Sequence, residues 1–150
     1  MTFGRMRTRI ERRKEMKVEN AVYPTADGIR ALADDASSTP IAMLNLLKFR
    51  MKALYKDGRA DDVSGLEAYQ RYATAMTKIV EREGGRMLFA GKIAGVVIGE
   101  VGDLWDVAAI MEYPSRAAFQ RIATLPEVRA IAVHREAGLE GQLLIMTESR

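Results

Sequence analysis

Positions 41–49 read Ile-Ala-Met-Leu-Asn-Leu-Leu-Lys-Phe, with apolar residues in both alternating series. Ile41, Met43, Leu47 and Phe49 fall in one series, Ala42, Leu44 and Leu46 in the other. An antiparallel strand with one wet face alternates apolar and polar residues. This run does not, which predicts a strand covered on both faces. Residues 104–113 repeat the pattern, with Trp105, Val107, Ala109 and Met111 in one series and Leu104, Ala108 and Ile110 in the other.

Helical periodicity separates these runs. A lead-in over 18–40 contains a short helix over 26–33 with Thr25 as N-cap. Residues 50–63 are charged, contain Asp57-Gly58 and read as a loop. Ser64 and Glu67 stand in capping-box spacing before a helix over 66–83, with apolar positions at Leu66, Tyr69, Tyr72, Ala73, Met76, Ile79 and Val80. Gly84-Gly85 stops it. Residues 86–99 read as a strand that Gly91 and Gly95 bulge, bend or break. After the strand at 104–113, Pro114-Ser115 and Pro126 open two helices, to about 125 and about 137, and the last strand is 142–147.

The order β-α-β-β-α-β after a helical lead-in predicts an α+β, ferredoxin-like domain: a four-stranded antiparallel sheet with helices on one face. Those helices leave the second apolar face bare. The expected cover is another copy of the same sheet, giving a homodimer joined sheet to sheet.

The 150-residue length fits one domain, expected over 18–150, burying roughly 68–70% of its unfolded surface. There is no cysteine, which excludes disulfides, thiolate metal sites and cysteine nucleophiles. No apolar run approaches the ~18 residues of a membrane span. A cytoplasmic location is expected, which the absence of cysteine fits. Residues 1–17 hold seven basic and two acidic side chains, +5; against +3 for the whole chain, residues 18–150 sum to −2. This basic tail is expected to be disordered or a mis-assigned start with Met16 as the true one. Nucleic-acid or anionic-lipid contact by the tail is the weaker reading. No nucleic-acid contact is expected for the domain.

The runs NLLKF (45–49), YQRY (69–72), EGGR (83–86), WD (105–106), EYPS (112–115) with Phe119, and HREAGLEGQLLIM (134–146) resemble one family in their order and spacing. It is the family catalogued as domain of unknown function 1330, in the dimeric α+β barrel superfamily, and the resemblance spans about residues 41–147. It implies the same fold and face-to-face dimer, and no established activity. The superfamily includes cofactor-free oxygenases of aromatic polyketides, heme-dependent enzymes, isomerases and members without known chemistry.

Six residues are candidates for a ligand site. Asn45 is a polar amide inside an apolar run and must find partners or face a cavity. Tyr72 lies on the apolar stripe of the 66–83 helix and can present its hydroxyl to a pocket. Trp105, the single tryptophan, suits either packing or the wall of a flat ligand. Asp106 is a general base if desolvated, or the partner of Arg86 or Arg135 in a salt bridge. His134, the single histidine, cannot make a zinc site without thiolates or several carboxylates, so no metal is expected. A surface role near a helix C-terminus is its default, ahead of heme ligation. Arg135 matches an arginine of the family pattern and suits a salt bridge or the binding of an anionic or enol oxygen. P-loop, dinucleotide and nucleophile-elbow motifs are absent, and no cofactor is required. The expectation is a homodimer with a small-molecule pocket, acting on or binding a small carbonyl, enol or aromatic compound. The alternative is a non-catalytic dimeric module.

Overall fold

A computed structural model describes residues 21–33 and 38–148. The basic segment 1–17 lies outside the described residues. The elements are α1 (Ala26–Ala33), β1 (Ile41–Phe49), α2 (Gly65–Arg82), β2 (Arg86–Lys92), β3 (Val107–Tyr113), α3 (Arg116–Ala123), α4 (Pro126–Gly138) and β4 (Leu139–Glu148). The strands form one sheet in the order β2-β3-β1-β4, every neighbour antiparallel. This is the ferredoxin-like arrangement that the element order predicts.

The local signals act as their chemistry requires. Ser64 Oγ accepts from Glu67 N at 3.1 Å and the Glu67 carboxylate accepts from Ser64 N at 2.7 Å, closing the capping box of α2. Thr25 Oγ1 accepts from Gly28 N at 3.0 Å, and Ser115 Oγ from Ala118 N at 3.0 Å. Pro126 begins α4, where its missing N–H costs nothing. Gly84, at φ 91°, takes the left-handed conformation that ends α2.

Two boundaries depart from the sequence pattern. β2 stops at Lys92, where Ile93 N donates to Asp106 O at 2.9 Å and closes a loop over 93–106. Trp105 therefore precedes β3 instead of opening it. β4 begins at Leu139, directly after α4, because Leu139 already pairs with Phe49 beyond a bulge at the end of β1.

The core lies on the face of the odd-numbered β1 residues. Ile41, Met43, Met111 and Tyr113 of the sheet pack with Met76, Ile79 and Val80 of α2, Ile122 of α3 and Val128 of α4; Leu32 of α1 joins them. The opposite face presents Leu44 and Leu46, with Ile110 and Ala108 beside them on β3 and Ile145 and Leu143 on β4. No helix of the described residues covers that face. Phe89, paired with Ile110, is 55% exposed there, and Ile145 is 43% exposed.

α2 and α4 meet through glycine. A Cβ on Gly65 would stand 2.1 Å from Arg50 O and 2.7 Å from Gly138 O; one on Gly138 would stand 2.4 Å from Gly65 O and 2.9 Å from Tyr69 N. These are backbone atoms that cannot rotate away. Gly65 N donates to Arg50 O at 3.1 Å and Arg50 N to Gly138 O at 2.8 Å, so both helix ends are tied to the end of β1. Gly138→Ala is expected to destabilise by about 3 kcal/mol or more, the upper range of overpacking. Gly95→Ala, whose added methyl meets nothing within 4 Å, should stay within about 0.5 kcal/mol. Urea denaturation of the two variants beside the wild type measures the difference.

Candidate functional site

A cavity of about 60 Å³ lies between α2 and the helix-side face of the sheet. α2 contributes Tyr69, Tyr72, Ala73, Met76 and Thr77, one stripe at helical spacing. The sheet contributes Asn45 from β1, Met87 from β2, and Ala109, Met111 and Tyr113 from β3. Asn45 pairs with Ala109, which pairs in turn with Ala90. Two small side chains beside the amide help leave the space open.

The Asn45 amide belongs to a chain of hydrogen bonds. Arg135 Nη1 donates to Gln142 Oε1 at 2.9 Å, and Gln142 Nε2 donates to Asn45 Oδ1 at 2.9 Å. Asn45 Nδ2 then donates to Met43 O at 3.2 Å. Arg135 Nη1 also donates to Val22 O at 2.8 Å. A guanidinium only donates, so it fixes the oxygen of Gln142 toward itself and, through the Gln142 amide, the oxygen of Asn45 toward Gln142. The Asn45 nitrogen is left on the other side, with one N–H beyond the bond to Met43.

Three phenols share the cavity. The Tyr69 and Tyr72 rings are 5.6 Å apart, and Tyr113, 6% exposed, stacks edge-on against Phe119 at 4.8 Å. Burial raises the pKa of Tyr69, Tyr72 and Tyr113 above the ordinary phenol value. Their mutual proximity adds to the shift for Tyr69 and Tyr113, and Arg135 offsets part of it for Tyr69 and Tyr72. At neutral pH all three are protonated. Among the described residues none of the three hydroxyls has a hydrogen-bond partner.

Of the sequence candidates, the structure brings Asn45 and Tyr72 to the cavity and connects Arg135 to it through Gln142. Trp105 is buried in the loop before β3 and is not among the lining residues. Asp106 makes neither of the salt bridges expected of it. Its Oδ2 accepts from Phe49 N at 2.8 Å, while Arg86 pairs with Glu112 at 2.9 Å and Arg135 is engaged as above. The reason is position: at the mouth of β3, Asp106 reaches the last N–H of β1, and Asp106 N donates to Leu47 O at 2.9 Å. Lys48, near the same end of the sheet, pairs with Asp103 and lies 3.7 Å from Glu140, which raises its pKa.

His134 faces a different cluster. Its Nδ1 is 2.8 Å from Tyr55 Oη, which accepts from Arg71 Nη1 at 3.0 Å. Arg71 pairs with Asp61 at 2.5 Å, and the Arg59 guanidinium stacks 4.4 Å from the Tyr55 ring centroid. Desolvation first, then Arg59 and Arg71, lower the His134 pKa. Among the described residues no group of three or more histidines and carboxylates could hold a metal ion, and no helix is long and apolar enough to cross a membrane.

Sequence reasoning passed over Tyr113 and Gln142. The signal for Tyr113 was present, since it continues the Val107-Ala109-Met111 series at period two. Gln142 gave none, because a glutamine at a strand start reads as a solvated end.

The fold and its cavity define a ferredoxin-like α+β domain with a polar-lined recess beneath its longest helix. The chain belongs to the family described as Domain of unknown function (DUF1330), whose model matches residues 58–149. It is similar to the RPA0582 protein of unknown function from Rhodopseudomonas palustris, with 32% identity over 88% of this chain and 98% of that one and a TM-score of 0.78. The methylated form of that protein gives 34% identity over 87% and 96%, with a TM-score of 0.79. The hydroxynitrile lyase from Passiflora edulis shares the fold at 11% identity over 76% and 96%, with a TM-score of 0.54. No curated protein matches the chain.

The depressed His134 pKa has a stability consequence. Because the folded value lies below the unfolded one, stability is full above the unfolded pKa of about 6.5 and falls as pH drops from there toward the folded value. Melting temperatures of wild type and His134→Gln between pH 5 and 8 should diverge in slope, with the wild type losing more between pH 7 and 5. Subtracting the two curves removes the carboxylate contributions they share, and parallel curves would exclude the linkage.

Proposed function

We propose that the protein is a homodimer that binds a small organic molecule in the cavity under α2 of each protomer. The observation that carries this reading is the set of three tyrosines lining one cavity, whose hydroxyls have no hydrogen-bond partner among the described residues. Polar groups in protein interiors are almost always hydrogen-bonded, so a hydroxyl that the protein leaves without a partner is open to water or to a ligand. Elsewhere in this cavity the rule holds: the Thr77 hydroxyl donates to Ala73 O at 2.8 Å, and the Asn45 oxygen takes a hydrogen from Gln142. The tyrosines are the groups left for a ligand. Should the site also be catalytic, protonated phenols suit hydrogen-bond donation to a carbonyl or enol oxygen, chemistry that needs no cofactor.

The dimer reading rests on the bare face of the sheet. Its centre is apolar, and charges at its rim are matched within the protomer by Arg86–Glu112 and Lys48–Asp103. An apolar centre inside a neutralised rim suits an isologous contact, where each patch meets its own copy. The alternative of a non-catalytic structural dimer draws on one observation, the internally satisfied Asn45 oxygen.

Native mass spectrometry of freshly purified protein should give a dimer carrying a small molecule that denaturation releases. Tyr72→Phe should lose that mass while its stability stays within about 0.5 kcal/mol, since the hydroxyl bonds nothing in the protein. A large drop in stability would return Tyr72 to a structural role. Leu46→Arg, at the centre of the bare face, should sediment as a monomer at micromolar concentration where the wild type is a dimer. A variant that stays dimeric would move the interface elsewhere.

A further inference from the structure

The lining of the cavity specifies a class of ligand. None of the lining residues is charged: Asn45, the three tyrosines and Thr77 are its polar members, and alanine and methionine complete it. Arg135, the cation whose charge acts on Tyr69 and Tyr72, donates to Gln142 and to Val22 O. A carboxylate entering here would exchange its hydration for the field of Arg135 without a direct ion pair, and an ammonium would meet that positive field and no carboxylate. Size narrows the class further. At roughly 10–15 Å³ for each water, the space of about 60 Å³ admits about four to six heavy atoms. The flexible side chains of Met76, Met87 and Met111 let it expand modestly.

Polarity narrows it again. The Arg135–Gln142–Asn45 chain turns the Asn45 oxygen away and leaves an amide N–H as the available group. The Thr77 hydroxyl is spent on its own helix. The three phenols can donate, and each keeps its proton at neutral pH. The cavity therefore offers donors against apolar walls, and an acceptor oxygen on a compact apolar body complements it.

Resting on the pocket reading above, we infer that the site takes an uncharged carbonyl compound, its oxygen held by the Asn45 amide N–H and the tyrosine hydroxyls, and that Arg135 and Gln142 are positioning residues that set the amide's polarity. This differs from the sequence expectation, in which Arg135 held an anionic oxygen directly.

The test uses full-length protein labelled with ¹³C at the methionine methyls, so that Met76, Met87 and Met111 report on the cavity. The probes are butanone, propionate and propylammonium, of similar size and different charge. Butanone should shift those three methyls at millimolar concentration, and the two ions should bind at least about tenfold more weakly, as loss of ion hydration without a partner requires. Tyr72→Phe should weaken butanone about fivefold, the worth of one neutral hydrogen bond. Gln142→Leu should narrow the preference for butanone over propylammonium, because the freed Asn45 amide can turn its oxygen inward. A merely structural Gln142 would change stability and leave that ratio alone, which would overturn the positioning role. Propionate binding as well as butanone would overturn the ligand class and leave the pocket standing. If no probe moves the three methyls and the native dimer carries no bound molecule, the pocket reading itself falls.

Discussion

The rest of this structure depends on one close approach, the crossing of α2 and α4 at Gly65 and Gly138. Neither position has room for a Cβ, because each faces the other's carbonyl oxygen and the backbone of Arg50 or Tyr69. The contact ties three segments together: the end of β1, the first turn of α2 and the last turn of α4. Once Gly65 is fixed against β1, helical geometry places Tyr69 one turn along and Tyr72 nearly two, on the stripe that faces the sheet. Met76 and Val80 continue toward the core and seat the helix. The cavity is the gap between a helix pinned at its start by glycine and packed at its end by branched side chains.

The same pinning divides the sheet into two unlike faces. The odd-numbered residues of β1 sit under helices, and the even-numbered ones do not, although both series are apolar. A strand's side-chain period is two, so a slip of one residue would exchange the faces. Here the slip is opposed less by hydrophobicity, which is similar on both, than by particular groups. Asn45 must meet Gln142, and Asp106 must meet Phe49 N. Polar residues of little value to burial thus hold the register of a sheet whose apolar pattern alone does not.

Much of the architecture was legible in the sequence because its signals are local. The capping box at Ser64 and Glu67, the N-cap at Ser115, Pro126 at a first turn and Gly84 at a helix end act within a few residues of themselves. The doubly apolar first strand told of a bare face before any topology was known. The site was half legible. Asn45 and Tyr72 stood out as polar atoms in apolar surroundings, and they do line the cavity. Asp106 and His134 stood out for their chemistry, yet their contacts come from segments 57 and 79 residues away, Phe49 and Tyr55. Sequence gives residue type and local period; it does not give which distant loop arrives beside a carboxylate. Trp105 was misplaced for a related reason: an apolar run reads as strand until a remote bond, here Ile93 N to Asp106 O, closes it into a loop.

The polar residues of this protein fall into two kinds, and the distinction bears on function more than residue type does. Asn45, Gln142, Arg135, Asp106 and His134 are engaged internally. Gln142 is the clearest case: its backbone N–H donates to Ala21 O at 2.8 Å while its side chain joins α4 to β1. The lead-in at 21–22, β4, α4 and β1 meet at that one amide. Removing such a residue disturbs fold and cavity together, so a fall in affinity alone says little, whereas a change in the ratio between ligands reports on the polarity of the site. The tyrosines are of the other kind. Their rings are fixed by packing and their hydroxyls are uncommitted, so the fold positions these groups without using them. A donor that a protein holds in place and leaves unpaired is free to meet water or a ligand, and in this molecule three tyrosines with such hydroxyls line one recess.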